Sequence, residues 1–243
     1  MLPSPVALLL DFGGVLAEAA RHDPAPPELV LRLYNLTGGA LSPGDINRSL
    51  IAGAGAYAAW RDLDEPDELP QAEVWRRFFT PDWPQRAQEA VRVNAAKLSY
   101  DWTWRNTWAL RPGIPEALRA ARAAGLPMAV VSNTLCGAAP RDFLAKAGVG
   151  GLFAAQVYSD EVGVRKPNPE MIWHATRALG VPTEDCWYVG DSYQRDMVCA
   201  RRAETGVAIL MRSRRTAAED PGAHAVPDVT VDDGFGLRDL LPI

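Results

Sequence analysis

The stretch ALLLDFGGVLAE, residues 7–18, combines a short apolar run with a single acid and two glycines. Four consecutive apolar residues are typical of a strand that is buried on both faces, since such a strand has no solvated side. Asp11 ends the run, and Gly13 and Gly14 follow, where a backbone without Cβ can turn sharply or approach a ligand closely. The segment therefore predicts a buried strand that carries one carboxylate at its carboxyl end.

Similar apolar runs recur along the chain and alternate with segments of helical period. Further strands are predicted at 127–133, 154–159, 186–191, 207–211 and, more weakly, 228–231. Helices are predicted between them at 114–125, 141–148, 169–180 and 194–204. Strands that alternate with helices of this length are typical of right-handed βαβ units. The expected fold class is therefore α/β, with a Rossmann-like parallel sheet covered by helices on both faces.

The alternation is interrupted after the first strand. Helical patterns occur at 26–38, 43–62, 71–79 and 83–98, with little strand signal between them. This predicts an all-helical domain inserted into the α/β domain, with boundaries at 1–17 and 108–243 for the core and 18–107 for the insertion. GAGAYA (53–58) fits a GxGxxA nucleotide-binding pattern, but no strand precedes it, so we interpret it as part of a helix.

Composition limits the classes of function. The net charge of -5 over 243 residues argues against binding to a nucleic-acid backbone, which requires a basic face. No apolar run reaches the ~18 residues of a membrane span, and the N-terminal residues lack the basic region of a signal peptide. The three cysteines have no metal-binding spacing and are expected to be reduced thiols. We therefore expect a cytoplasmic protein without nucleic-acid or membrane partners; the oligomeric state stays open.

Polar residues follow several of the predicted strands. Ligands of open parallel sheets bind beyond the carboxyl ends of the strands, so these residues form the candidate site. They are Asp11, Ser132, Asn133, Asp191, Ser192 and Asp196, together with Lys166 in GVRKPNPE. A carboxylate such as Asp11 is ionised at neutral pH and can act as a nucleophile. The combination of acids, an ammonium and a hydroxyl predicts attack by a carboxylate on phosphorus.

Mg²⁺ is the expected cofactor of this chemistry. It prefers hard oxygen ligands and reduces the repulsion between an anionic nucleophile and a phosphate. Asp11, Asp191 and a backbone carbonyl near Gly13 are the expected ligands. Lys166 is expected to neutralise charge on Asp11 and on the phosphoryl oxygens, and Ser132 to bind non-bridging oxygens.

Four motifs, taken in order, resemble those of a known family. DFGGVL (11–16), VVSNT (130–134), RKPNPEM (165–171) and GDSYQRDM (190–197) resemble motifs one to four of the haloacid dehalogenase-like (HAD) hydrolase superfamily. The insertion resembles the C1-type helical cap of that family, which selects the substrate. The resemblance implies an Mg²⁺-dependent phosphatase for a small phosphorylated metabolite. The roles it implies are nucleophile for Asp11, phosphate binding for Gly13, Gly14, Ser132, Asn133 and Lys166, metal binding for Asp191, and support by Ser192 and Asp196.

The chain departs from this pattern at one position. Phosphatases of the family usually carry a second Asp, the general acid and base, where this chain has Gly13. Proton transfer of that kind is worth typically ~10²–10⁴-fold in rate. Three interpretations stay open: the substrate has a good leaving group, such as an acyl or anomeric phosphate; a water or a residue of the insertion (His22, Asp23 or Asp101) substitutes; or hydrolysis is lost.

Two alternative functions follow from the same residues. A catalytically silent protein would bind phosphorylated ligands or a partner without turnover. A 2-haloacid dehalogenase would use the aspartate and the lysine, and would need neither a metal nor an acid at position 13. The aromatic segment DWTWRNTW (101–108) is interpreted as packing between cap and core; alternatively Trp102, Trp104 or Trp108 lines an apolar pocket.

Overall fold

The computed structural model describes residues 2–19, 23–222 and 226–242. In chain order the described strands are β1 (Ala7–Leu10), β2 (Ala17–Ala19), β3 (Trp108–Leu110), β4 (Met128–Ser132), β5 (Ala155–Tyr158), β6 (Cys186–Gly190), β7 (Val207–Met211) and β8 (Val229–Val231). The described α-helices are α1 (Pro27–Leu36), α2 (Pro43–Arg61), α3 (Gln71–Val74), α4 (Gln85–Val93), α5 (Ala95–Thr103), α6 (Ile114–Ala123), α7 (Ala138–Lys146), α8 (Ser159–Val162), α9 (Glu170–Leu179), α10 (Val198–Arg202) and α11 (Gly234–Leu240). The chain divides into two compact units, residues 1–20 with 106–243, and residues 21–105.

Six of the described strands form one parallel sheet in the order β5-β4-β1-β6-β7-β8. β1 lies between β4 and β6, and Leu10 pairs with Val130 on one side and Val189 on the other. β1, β4, β6 and β7 are buried along their whole length, as their continuous apolar sequences require. The predicted α/β fold with a parallel sheet is confirmed.

Helices pack on the sheet through alternate strand residues. Leu9, Val131 and Leu210 belong to a buried cluster that also includes Met171 and Ile172 of α9. Because successive strand residues point to opposite faces, residues two apart on one strand meet the same helix layer. Full burial of a Leu or Ile side chain contributes about 1.5–3 kcal/mol, so this layer is a major source of stability.

The strands β2 and β3 form a separate antiparallel pair that the sequence analysis missed. Ala17 pairs with Leu110 and Ala19 with Trp108. Each strand has only three residues, which is too short for an alternating pattern to be recognised. The pair joins the two segments of chain that lead into and out of residues 21–105.

Between residues 23 and 105 the described regular secondary structure is helical, with turns and irregular segments between the helices. The helix predicted at 71–79 consists of α3 followed by a π-helical turn at Trp75–Phe79, and the one predicted at 83–98 is divided into α4 and α5. Gly53 lies in α2, so the interpretation of GAGAYA as helix is confirmed. A Cβ added to Gly53 would lie 2.6 Å from the Phe78 carbonyl oxygen, so the glycine allows α2 to approach the π-helical turn closely. Among the described helices, none has both the length and the apolar character that crossing a membrane requires.

Candidate active site

Asp11 lies at the carboxyl edge of the sheet, immediately after β1. Its N–H donates to the carbonyl of Val189 at 2.9 Å, which continues the pairing of β1 with β6 by one residue. Ser132 ends β4 and Asp191 follows β6, so the parallel register brings all three residues to the same edge. Each of the three is buried.

Lys166 is a buried cation of this site. Its Nζ lies 2.9 Å from Asp11 Oδ1 and 2.7 Å from Asp196 Oδ1, and it donates to the Val131 carbonyl at 3.0 Å. Its Nζ also lies 2.9 Å from the hydroxyl of Tyr188, which in turn donates to Asp196 Oδ1 at 2.7 Å. Burial alone would lower the pKa of Lys166, but Asp11 and Asp196 outweigh it and raise that pKa above its usual value. The ammonium therefore stays charged.

Asn133 holds the backbone of Lys166. Its Nδ2 donates to the Lys166 carbonyl at 2.9 Å, and the Lys166 N–H donates to Asn133 Oδ1 at 2.8 Å. These two bonds tie the end of β4 to the loop that carries the lysine. The predicted contact of Asn133 with phosphate stays a prediction; its observed side-chain contacts position Lys166.

Asp196 connects Lys166 to Asp191. While its Oδ1 faces the lysine, its Oδ2 accepts hydrogen bonds from the N–H groups of Asp191 and Ser192, both at 3.0 Å. Gly190 makes room for this arrangement, because an added Cβ would lie 2.2 Å from Asp196 Cβ. Since both oxygens of Asp196 are engaged, it organises the site and is not suited to bind a cation directly.

The segment after β7 completes the site and was missed by the sequence analysis. The Ser213 hydroxyl donates to Asp191 Oδ2 at 2.6 Å, and the Thr216 hydroxyl donates to the Asp191 carbonyl at 2.5 Å. The Ser192 hydroxyl donates to the carboxylate of Glu219 at 2.8 Å. The sequence did contain a signal for these residues, because ligands of a parallel sheet bind beyond the carboxyl ends of its strands. That rule selected polar residues beyond β1, β4 and β6, and it applies equally to residues beyond β7.

Asp11, Asp191 and Asp196 form a cluster of buried carboxylates. Each offers an oxygen, and these oxygens lie within 4.8 Å of one another. Burial, followed by the charges of Asp196 and Asp11, raises the pKa of Asp191 to about 8. Burial also raises the pKa of Asp11, an effect that Lys166 opposes. Lys166 contacts Asp11 and Asp196, and Arg215 Nε lies 3.9 Å from Asp191 Oδ1, so two basic groups face the three acids. The oxygens of Asp11 and Asp191 are hard donors of the kind that suits a divalent cation such as Mg²⁺.

The two glycines after the first strand differ in what the structure requires of them. Gly14 has φ of 78°, and an added Cβ would lie 1.9 Å from Asp191 Oδ2. Only glycine fits there while Asp191 keeps its place. At Gly13 the φ lies outside the left-handed region, and an added Cβ would meet nothing within 4 Å. Neither backbone conformation nor packing therefore requires glycine at position 13.

Two of the residues considered as substitutes for an acid at position 13, Asp23 and Asp101, lie in the helical unit. Asp101 forms ion pairs with Arg32 at 2.7 Å and with Lys97 at 2.5 Å. Asp23 accepts a hydrogen bond from the N–H of Ala25 at 2.9 Å. His22 lies outside the described residues. A proton-transfer role for any of them stays a prediction.

The tryptophans of the segment 101–108 have different surroundings. Trp102 packs edge-on against Phe79, with ring centroids 5.5 Å apart, inside the helical unit. Trp108 in β3 packs edge-on against Phe12, the residue next to Asp11, at 5.0 Å. Their predicted contact with a substrate remains a prediction.

Comparison with known proteins matches this chain to one family. A family model described as haloacid dehalogenase-like hydrolase matches residues 6–204. A phosphoserine phosphatase from Thermus thermophilus is 36% identical over 150 residues, which are 62% of this chain and 55% of that protein, so the chain spans about half the relative's length. A phosphoglycolate phosphatase from Rhodobacter capsulatus is 34% identical over 219 residues, 90% of each chain.

Solved structures show the same fold at lower identity. The crystal structure of a HAD phosphatase from Thermococcus onnurineus has a TM-score of 0.63 and 19% identity, with 96% of each chain covered. The family model extends over most of the α/β core, from β1 to the residues after α10, and includes all four motifs. The chain belongs to the haloacid dehalogenase-like hydrolases.

Proposed function

We propose that this protein is an Mg²⁺-dependent phosphatase that acts on a small phosphorylated metabolite through an aspartyl-phosphate intermediate. The observation that carries the proposal is the buried pair of Asp11 and Lys166, with the Asp191 carboxylate near enough to Asp11 for both to bind one cation. The names of related proteins, phosphoserine phosphatase and phosphoglycolate phosphatase, support the reaction class.

The mechanism follows from the surroundings of Asp11. One carboxylate oxygen attacks phosphorus, a bond forms between that oxygen and phosphorus, and the bond to the leaving oxygen breaks. Lys166 holds the other side of the carboxylate and offsets the charge that develops on the phosphoryl oxygens. Ser132, with the backbone after it and the Gly13–Gly14 turn, binds non-bridging oxygens. A water then attacks phosphorus, a bond forms between its oxygen and phosphorus while the bond to the Asp11 oxygen breaks, and inorganic phosphate leaves with the proton of the water, which restores Asp11.

Asp11, Asp191 and a backbone carbonyl at Gly13 are the proposed ligands of the metal. When bound, Mg²⁺ supplies positive charge that permits a carboxylate anion to approach a phosphate dianion. Ser213 and Thr216 hold Asp191 for this purpose, and Asp196 holds its backbone. The raised pKa of Asp191 in the metal-free protein indicates that a cation favours its ionised form.

Gly13 determines the proposed substrate class. Without an acid at this position, a leaving group must depart unprotonated or take its proton from elsewhere, which favours acyl and anomeric phosphates. Residues 18–107 are proposed to act as a C1-type cap that selects among such substrates. Closure of a cap of this kind excludes water from the reaction.

The primary test is hydrolysis of acetyl phosphate and of an activated aryl phosphate. The wild type is expected to need Mg²⁺, and Asp11→Asn is expected to lose turnover; Asp228→Asn, which removes a carboxylate remote from the cluster, should retain it. Full activity of Asp11→Asn, or activity in excess EDTA, refutes the proposal. Chloride release from a 2-haloacid without Mg²⁺ would instead indicate a dehalogenase, and phosphate binding without turnover of any substrate would indicate a silent binding protein.

A second test uses the open space at position 13. Gly13→Asp is expected to accelerate the hydrolysis of alkyl phosphates, whose leaving groups need a proton, by ~10²-fold or more. Gly13→Asn is the matched control, since it has the same size but no acid. An equal effect of both substitutions, or no gain with Gly13→Asp, would show that proton transfer at this position is not the missing step.

A further inference from the structure

Arg111 lies outside the four motifs, yet it contacts the turn that follows Asp11. Its buried guanidinium donates to three backbone carbonyls, those of Gly14, of Arg212 at 2.7 Å and of Asp232 at 3.0 Å. These carbonyls belong to three separate segments, after β1, after β7 and after β8. A planar guanidinium with five N–H donors suits such a junction better than any other side chain.

Gly14 is held through both of the peptide groups that flank it. The N–H of Gly14 donates to the Ala17 carbonyl at 2.9 Å, while its carbonyl accepts from Arg111. Gly14 is therefore anchored on both sides. In a planar trans peptide the Gly13 carbonyl points opposite to the Gly14 N–H, so the bond to Ala17 sets the direction of the Gly13 carbonyl. Arg111 holds the following peptide, and the two bonds together restrain the turn on both sides of Gly14.

Arg111 is itself held firmly by its backbone. Its N–H donates to the Leu16 carbonyl at 3.0 Å, and the carbonyl of Pro112 accepts from the N–H of Gly234 at 2.9 Å. Gly113 has φ of 76°, and an added Cβ would lie 2.1 Å from the Phe235 nitrogen. The turn 111–113 therefore fits closely against the start of α11, which leaves the guanidinium little freedom to move.

We propose that Arg111 is a positioning residue of the metal site: it holds the Gly13–Gly14 turn so that the Gly13 carbonyl and Asp191 face one cation. The inference rests on the proposed function, because it requires the metal site described there. Gly14 is the link, since it contacts Asp191 on one side and Arg111 on the other. Loss of the guanidinium frees the turn and weakens the cation site without removing any ligand.

The test is calorimetric titration of the metal-free protein with Mg²⁺ in the absence of substrate. Arg111→Met is expected to raise the dissociation constant by about tenfold, the lower end of what loss of an outer-shell contact costs. Arg111→Lys keeps the charge and the aliphatic stem, but one ammonium cannot span three carbonyls, so a smaller increase is expected. Arg201→Met is the control for loss of a guanidinium away from the site: Arg201 is exposed, donates to the backbone carbonyl of Val226 and pairs with Asp228 at 2.8 Å.

The outcomes separate positioning from general stability. Thermal midpoints are measured for every variant, and the inference holds if Mg²⁺ affinity falls in the Arg111 variants but not in an Arg201→Met protein of similar stability. If Arg111→Met does not fold, Arg111→Lys decides. Unchanged Mg²⁺ affinity in the folded Arg111 variants overturns the inference alone. A wild type that binds no Mg²⁺ refutes the proposed metal site, and the inference with it.

Discussion

Replacement of Gly14 by alanine is expected to lower both stability and Mg²⁺ affinity, whereas the same replacement at Gly13 is expected to change neither. At position 14 the added methyl group would lie 1.9 Å from Asp191 Oδ2 and 2.5 Å from its Cγ, far inside contact distance. The carboxyl group must therefore swing away, and its hydrogen bond from Ser213 is lost. The φ of 78° adds strain for any residue with a Cβ.

The magnitude follows from these two effects. A non-glycine residue in the left-handed region costs roughly 1–2 kcal/mol. A buried polar group that loses its partner costs about 1–3 kcal/mol. Together they lower the free energy of unfolding by about 3 kcal/mol, which corresponds to a fall in thermal midpoint of about 6–12 °C for a chain of this size. Because Asp191 is displaced, Mg²⁺ affinity should also fall by at least ~10-fold.

Thermal unfolding and Mg²⁺ calorimetry check both effects, with Gly13→Ala as the control one residue away. At position 13 the new methyl group meets nothing within 4 Å and the backbone is unstrained, so both quantities should stay close to the wild type. Equal effects of Gly13→Ala and Gly14→Ala, or an unchanged Mg²⁺ affinity in Gly14→Ala, would refute the packing argument.

Four further outcomes are expected. Burial and neighbouring acids raise the pKa of Asp191 to about 8, so its proton must leave before a cation binds. The Mg²⁺ dissociation constant should therefore fall about tenfold per pH unit up to about pH 8 and then level off. Calorimetry between pH 6 and 9 that shows no trend would contradict this. In the metal-free protein the same raised pKa means that protonation of Asp191 stabilises the fold. The contribution of Asp191 to the free energy of unfolding should therefore decline as the pH rises from the unfolded-state pKa towards 8. Urea denaturation with and without Mg²⁺ measures this decline. Gly190→Ala would force Asp196 from its place and is expected to cost about 1–3 kcal/mol of stability in the same assay. Asn133→Ala leaves both backbone groups of Lys166 without their side-chain partner, so it is expected to lower the free energy of unfolding by about 1–3 kcal/mol and to lower kcat. A kcat equal to that of the wild type would show that the lysine keeps its position by other contacts.

The strands and most core helices were predictable because their signals are local. The apolar runs at 7–10, 128–132 and 207–211 record burial on both faces, and this requires no knowledge of the neighbouring strand. The parallel order then places each strand's carboxyl end at one edge. The approach of Asp11 to Lys166 and Asp191 therefore followed from sequence position and topology together.

Local patterns failed where a break or a pairing depends on distant residues. The helical period continues through 83–98, but the chain ends α4 at Val93 and begins α5 at Ala95. β2 and β3 pair across the whole helical insertion, and three residues on each side carry too weak a pattern to reveal it. Pairing of this kind is determined by tertiary contacts rather than by propensity.

The sequence by itself determined the sheet, the candidate nucleophile and lysine, and the absence of an acid at position 13. Only the tertiary structure decided that Gly14 is required while Gly13 is not, since contact with Asp191 comes from another strand. It also decided the contacts of Tyr188 with Lys166, of Ser213 with Asp191 and of Arg111 with Gly14, whose partners are more than twenty residues apart in the chain. Hydrophobic burial is non-directional and leaves a periodic trace in the sequence, whereas a hydrogen bond depends on the position and orientation of two specific groups, which only the folded chain fixes.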